Sequence, residues 1–438
     1  MKPAAKIAVI GAGIGGMSAA YDLARAGYQV AIYESSDSVG GLAGGFKASG
    51  WDWSLEKYYH HWFTSDRHIL GLIAELGWSD RVIFPRPYTV VYYKGKFYPF
   101  DSYLTALRFP GLGWGVDKLR FGLVGLYLRL TNDWQRLERV TVESWMRRWA
   151  GDRVYELMWQ PLLIGKFGPY YREVNMAWMW ARLKARTTRL GTFIGGFQAF
   201  ADALGERLRQ MGVALHLGVQ VRQLEVQSEE GVKLKLAEGG EICDRCLVTT
   251  SPALLARLAP SLPDRYLRGL LHLKSMGAVV IILALRQQLS REGFYWFNIP
   301  KSAGFPFLAL VEHTNFVSPE YFNGDHLVYI GDYLEQGHAY FSLSKEQLLE
   351  RFLPHLPRFN PAFNPDWIRE TWLFRTNYAQ PVPEVDHSRH IPAIRTPLRR
   401  LYFASMSQVY PWDRGTNFAV EIGRRAASMM MEDITQGN

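Results

Sequence analysis

The chain has 438 residues, long for one hydrophobic core, so two domains are the expectation. A net charge of +9 comes without a Lys/Arg block, basic tail or nucleic-acid motif, which points to a basic surface and excludes nucleic acid as the expected partner. Two cysteines exclude a disulfide scaffold and fit a reducing, cytoplasmic setting.

In chain order, residues 7–10 predict a buried strand and residues 14–26 a helix. Gly27 is the positive-φ stop, and QVAIYE is a second strand. Lys2 and Lys6 before the apolar stretch give a faint likeness to a signal peptide. The strand and the glycine spacing account for that stretch, so no secretion is expected.

GAGIGG, residues 11–16, joins strand to helix, and each part has a physical task. Gly11 turns the chain sharply, Gly13 lets backbone approach a pyrophosphate, and Gly16 permits close helix–strand packing. Ile14 and Gly15 begin the helix whose N-terminus faces the phosphates. Glu34 ends the second strand, where a carboxylate accepts hydrogen bonds from a ribose diol.

Residues 35–63 are Gly- and Ser-rich, then strongly aromatic, and read as loop. VVYYKGKFYPF alternates as a hairpin around Lys94-Gly95, and Trp-rich helical stretches follow to about residue 190. GTFIGGFQAFADALGERLRQMGVALHLGVQVRQLEV restores α/β texture. Cys243 and Cys246 form a C-x-x-C, but the flanks read as a buried strand and lack further zinc ligands. Residues 275–285 have the length of a buried strand. No uncharged apolar run reaches the ~18 residues that span a bilayer. RRLYFA predicts a last strand and TNFAVEIGRRAASMMMED an amphipathic helix.

The α/β texture thus comes in separated pieces. The expected fold is α/β: a discontinuous Rossmann-like domain from 1–75, 190–265 and 390–438, carrying a parallel sheet plus a β-meander. An α+β substrate domain from 76–189 and 266–389 is inserted into it.

ESSDSVGGLAGG, with Gly40-Gly41 beyond Glu34, resembles the extension found in the FAD-dependent amine oxidase, protoporphyrinogen oxidase and phytoene desaturase superfamily. The segment around Val221 is similar to the family's middle segment, and LYFASMSQVYPWDRGTNFAVEIGRRAA to its closing one. The resemblance covers essentially the whole chain and implies FAD. It implies that Gly40, Gly41 and Leu42 line the cofactor and that the Val221 backbone meets the adenine. Ser405 lies on the closing strand. Asp413, Arg414 and Gly415 form the turn that aims the Thr416 and Asn417 N–H groups at the flavin. Leu42 stands where the family often has Arg, and Ser405-Met406-Ser407 replaces its usual Gly and acid.

The amine-oxidase branch has a lysine four residues after a strand glycine. The matching pair here is Gly277 and Ile281, and Gly415 stands where that branch has a second cage tyrosine. The better match is the protoporphyrinogen-oxidase-like and desaturase-like branch, which implies hydride transfer from a hydrophobic substrate to flavin N5. Reduced-flavin chemistry on a nucleotide sugar and amine oxidation are the alternatives. EKYYHHWFTSD supplies candidate site residues Tyr59, His60 and His61, the histidines being side chains that titrate near neutrality. Tyr410 and Trp412 are candidates for the opposite substrate wall. No metal site is expected: HSRH at 387–390 lacks further ligands. Residues 102–134 interleave Leu, Phe, Trp and Tyr with Lys118, Arg120 and Arg129. They read either as a peripheral membrane-contact element at the membrane's inner face or as an ordinary substrate-domain helix pair.

Overall fold

The computed structural model describes residues 5–113, 115–227 and 231–437, so Lys2 and Trp114 lie outside the described residues. Strand Lys6–Ile10, helix Ile14–Arg25 and strand Gln29–Tyr33 form the expected β-α-β unit, in parallel register from Lys6 opposite Gln29 to Ile10 opposite Tyr33. Gly27 ends the helix at φ +87. The five-stranded parallel sheet runs Ala214–His216, Gln29–Tyr33, Lys6–Ile10, Arg245–Val248, Leu401–Phe403. Its strands come from distant parts of the chain, as the broken α/β texture implied.

Alternation along these strands feeds two cores. Ile7, Val9, Ile32 and Leu247 pack with Met17, Leu204, Val420 and Ala426 of the helices. Ala8, Ile10, Tyr33, Val248 and Phe403 face a three-stranded meander through Leu224, Val232 and Leu234. Cys243 and Cys246 are free, buried members of this second core. Among the described residues no cluster of His, Cys, Asp and Glu could hold a metal ion.

A seven-stranded sheet carries the other half. Its order is Ile368–Pro381, Ser275–Leu285, His326–Leu334, Ala309–Glu312, Phe294–Asn298, Tyr88–Tyr93, Lys96–Pro99. The predicted hairpin turns on Lys94 and Gly95, both at positive φ (48° and 82°). Ser275–Leu285 is buried on both faces. Val279, Ile281 and Leu283 enter one apolar core, while Val280, Ile282 and Ala284 pack with Tyr295 and Tyr329 in another.

Helices Val116–Leu130, Val142–Ala150, Gln160–Phe167 and Met176–Ala185 cover this sheet around Leu128, Met146, Phe167 and Trp178. Helix Val116–Leu130 buries only Val124 and Leu128. Its opposite face exposes Val116 (65%), Leu119 (64%), Leu123 (56%), Leu126 (55%) and Leu130 (70%), a continuous stripe at helical spacing. Leu104, Leu107 and Trp149 are also exposed. No helix among the described residues is long and apolar enough to cross a membrane.

Candidate active site

Gly11 leaves the first strand at φ +107, its N–H held by the Tyr33 carbonyl at 2.9 Å. Gly13 opens the helix in extended conformation and bridges to Gly40. The next two glycines of the motif that matter are constrained for different reasons. A Cβ on Gly16 would sit 2.1 Å from the Gly11 carbonyl oxygen, so helix–strand packing forbids it. A Cβ on Gly13 would meet only the Gly41 Cα, at 4.0 Å, so the protein leaves it room. The protein itself thus leaves the backbone at position 13 open to an approaching group.

Gly40 and Gly41 both take positive φ (112° and 57°), folding their loop onto Gly13; a Cβ on Gly41 would lie 3.1 Å from the Gly13 Cα. Leu42, beside them, is partly exposed. Glu34 accepts N–H groups from Ala12 and Ser36, each at 2.9 Å, which fixes its carboxylate beside the glycine loop. Ile14 and Val221 are buried next to these elements. The Ser405 N–H is held by Gln408 Oε1 at 2.7 Å.

Helix Thr416–Thr435 crosses the first helix at glycine: a Cβ on Gly423 would meet the Gly15 carbonyl oxygen at 2.2 Å, and one on Gly15 the Ala419 oxygen at 3.1 Å. The crossing sets two positive helix ends side by side. Phe418 and Ala419 donate back to the Gly415 oxygen at 3.1 and 3.0 Å, so the Thr416 and Asn417 N–H groups project from the helix end. Their side chains are engaged elsewhere. Trp62 Nε1 donates to Thr416 Oγ1 at 2.8 Å, and Asn417 Oδ1 accepts His68 and Ile69 N–H groups at 2.8 and 3.2 Å. Asn417 thereby caps helix Arg67–Glu75. Asn417→Ala is expected to lower stability by about 1 kcal/mol, read as a drop in Tm. An unchanged Tm would remove that capping role.

A glycine cradle open to an outside group, a placed acid and two converging helix ends fit FAD. Gly11, Gly13, Gly40 and Gly41 would admit its pyrophosphate and Glu34 its ribose.

Beside the cradle, Tyr59 packs edge-on against Trp296 (4.8 Å) and Tyr329 (5.9 Å). His60 Nδ1 donates to the Tyr58 carbonyl at 2.5 Å, which leaves Nε2 as an acceptor. Burial lowers His60 to about 4, with Arg414 adding. Burial lowers His61 to about 3, helped by the positive charges of Arg186, Arg182 and Lys166. The expectation that these histidines titrate near neutrality is therefore revised. The pocket is too dry and too cationic for another positive charge, and both stand neutral at pH 7. His61 Nδ1 is buried without a partner in the protein.

Tyr410 and Trp412 line a small cleft of about 20 Å³ with Trp178, Gln380, Met406, Asp413 and Arg414. The Tyr410 hydroxyl accepts Asn175 Nδ2 at 2.9 Å, and its ring packs on Trp134 and His387, making it a fixed wall. Trp412 stacks on Phe418 at 5.7 Å and abuts Trp180 at 5.2 Å. Ile281 points into an apolar core, and Gly415 is exposed.

Sequence reasoning missed a charged cluster on this cleft. Lys166 is the one lysine in the buried class among the described residues, its Nζ 3.3 Å from Gln380 Oε1 and 4.9 Å from the centre of the Tyr333 ring. Burial, then Arg182 and Arg414, holds its amine well below the usual lysine range. Arg182 pairs with Asp413 at 3.6 Å, and Gln380 Nε2 donates to Asp413 Oδ1 at 3.3 Å. Arg414 donates to the Tyr333 hydroxyl. Burial pushes the Asp413 carboxyl up, but Lys166, Arg414 and Arg182 outweigh it and hold it below the carboxylate range. Asp413 and Arg414 are neighbours in the closing segment, but Lys166, Arg182, Tyr333 and Gln380 sit in separate stretches, so no motif joined the cluster.

Glycine cradle, parallel sheet and large mixed sheet together form an α/β fold of the dinucleotide-binding kind. The family model described as flavin containing amine oxidoreductase matches residues 14–431, and the chain belongs to that family. Membership of this family implies flavin as the cofactor. The 15-cis-phytoene desaturase of Solanum lycopersicum is 25% identical over 283 residues, covering 58% of this chain and 47% of that protein. The chain spans about half the length of the curated relatives it matches. A candidate protoporphyrinogen oxidase from Exiguobacterium sp. 255-15 superposes with a TM-score of 0.77 at 16% identity, covering 98% of this chain and 99% of that one. Reduced UDP-galactopyranose mutase superposes equally well, with a TM-score of 0.77 at 16% identity, covering 98% of this chain and 96% of that one. These likenesses, at such low identity, speak for the fold.

Proposed function

We propose that this flavoenzyme oxidises a hydrophobic substrate by hydride transfer from carbon, in the manner of a desaturase or a protoporphyrinogen-type oxidase. The observation that carries this reading is the dry, aromatic surround of Tyr59, His60 and His61. His60 and His61 are held neutral by burial. The sequence relationship to a 15-cis-phytoene desaturase supports it.

Bound FAD supplies the hydride acceptor, N5 of its isoalloxazine. Gly13 and the first helix end receive the pyrophosphate, and Glu34 receives the ribose diol. The N–H groups of Thr416 and Asn417 would stabilise negative charge on the flavin. Tyr59, Trp296 and Trp412 exclude water and orient the substrate, while neutral His60 offers a hydrogen-bond acceptor.

The leucine stripe of Val116–Leu130 is the membrane-contact element through which the substrate arrives. Exposed Arg108, Arg120, Arg129 and Arg148 flank it, as suits an anionic lipid surface.

Anaerobic titration of the purified flavoprotein with polyene, porphyrinogen and amine compounds tests the reading. Bleaching of the flavin by polyene or porphyrinogen is expected; bleaching by amines alone would overturn it. A mutase-like use of reduced flavin on a nucleotide sugar is the second reading, favoured by the cations around Asp413. It predicts turnover without net electron transfer.

A further inference from the structure

Lys166, Arg182 and Arg414 meet one carboxylate, Asp413, on the cleft. Nearby acids are already engaged: Asp332 pairs with Lys301 at 3.1 Å and Asp101 with Arg86 at 3.6 Å. Arg186 adds a further cation at the exposed rim, and the neutral histidines add no countercharge. Lys166 is buried, so charging it without an anion beside it is costly, while Arg182 keeps 25% of its side chain exposed. The cofactor's pyrophosphate is not that anion. Its clamp lies at Gly11–Gly16 and Gly40-Gly41, whereas Lys166 and Arg182 stand on the helices that cover the seven-stranded sheet.

Arg182 also lies on the helix that joins the cleft to the exposed leucine stripe. Trp180 Nε1 and Lys184 Nζ donate to the Thr131 carbonyl, at 3.0 and 2.6 Å, at the end of helix Val116–Leu130. Arg129 Nη1 donates to the Leu183 and Arg186 carbonyls, both at 3.4 Å. The leucine-bearing helix is thereby tied to the helix that carries Arg182.

We propose that the substrate is an amphiphile whose anionic headgroup, a carboxylate or a phosphate, is received by Lys166, Arg182 and Arg414, while its apolar part lies along the Tyr59, Trp296 and Trp412 walls. This rests on the hydrophobic-substrate reading above and names the substrate class.

The test is equilibrium binding to the oxidised holoenzyme, followed by the flavin's visible spectrum and tryptophan fluorescence. The probes are dodecanoate, dodecyl phosphate, dodecanol, dodecyltrimethylammonium and UDP. Either anionic amphiphile is expected to bind at least about tenfold tighter than dodecanol, and the better of the two identifies the headgroup. Lys166→Met and Arg182→Met are expected to abolish that preference while retaining FAD. Equal affinity for dodecanol and both anions in the unmodified protein overturns the proposal without recourse to variants. So do preferential binding of the cationic amphiphile, binding of UDP without the amphiphiles, and an anion preference that survives in folded variants. Binding is read without turnover, so failure of the hydride-transfer reading shows separately, as a flavin that does not bleach.

Discussion

Gly13→Ala is expected to fold as well as the parent chain yet lose its flavin on purification. Gly13 has φ −71° and ψ 170°, a conformation alanine adopts freely, and its Cβ would meet only the Gly41 Cα, at 4.0 Å. Tm of the FAD-stripped forms should therefore agree within a few degrees. The added methyl blocks the approach of the pyrophosphate, and FAD affinity should fall roughly a hundredfold, ~2.7 kcal/mol. Gly16→Ala is the contrast. Its Cβ would be driven to 2.1 Å from the Gly11 oxygen, so fold and flavin should fail together. FAD retention by Gly13→Ala at the parent affinity would place the pyrophosphate elsewhere.

The second large effect is expected at the exposed leucine stripe. Combined replacement of Leu119, Leu123, Leu126 and Leu130 by Gln removes four side chains that face solvent, so folding stability should change little. Binding to liposomes containing anionic lipid should fall by about a thousandfold, from ~1 kcal/mol of lost burial at each position. Co-sedimentation measures it directly. Undiminished binding by the quadruple variant, or no binding by the parent chain, would reduce the stripe to an ordinary helix surface.

Local features were legible in the sequence. The β-α-β unit, the hairpin at Lys94-Gly95 and the long strand Ser275–Leu285 each follow from periodicity and glycine placement within one short window. The glycine turn between the first strand and helix was legible for the same reason, because the motif's spacing reports backbone geometry. Dryness was not. Nothing in YYHHWF says that protein closes around His60 and His61, and burial is what holds them neutral. The cation cluster was hidden by topology: Lys166 and Arg182 belong to separate helices, and Gln380, Asp413 and Arg414 reach them only through the folded strand order. Tyr410 was a candidate from sequence, but its fixed hydroxyl depends on Asn175, far away in sequence. In the stripe at 116–130, the spacing shows that one apolar face exists, while only the packing of Val124 and Leu128 shows which face turns inward.

The most direct test is an anaerobic single turnover of the FAD-loaded enzyme with a hydrophobic polyene or porphyrinogen, quantifying oxidised product against reduced flavin. Hydride transfer from carbon predicts one equivalent of oxidised product for each flavin reduced. Conversion with no net flavin reduction, or a flavin left oxidised by every hydrophobic substrate while amines reduce it, would contradict the account.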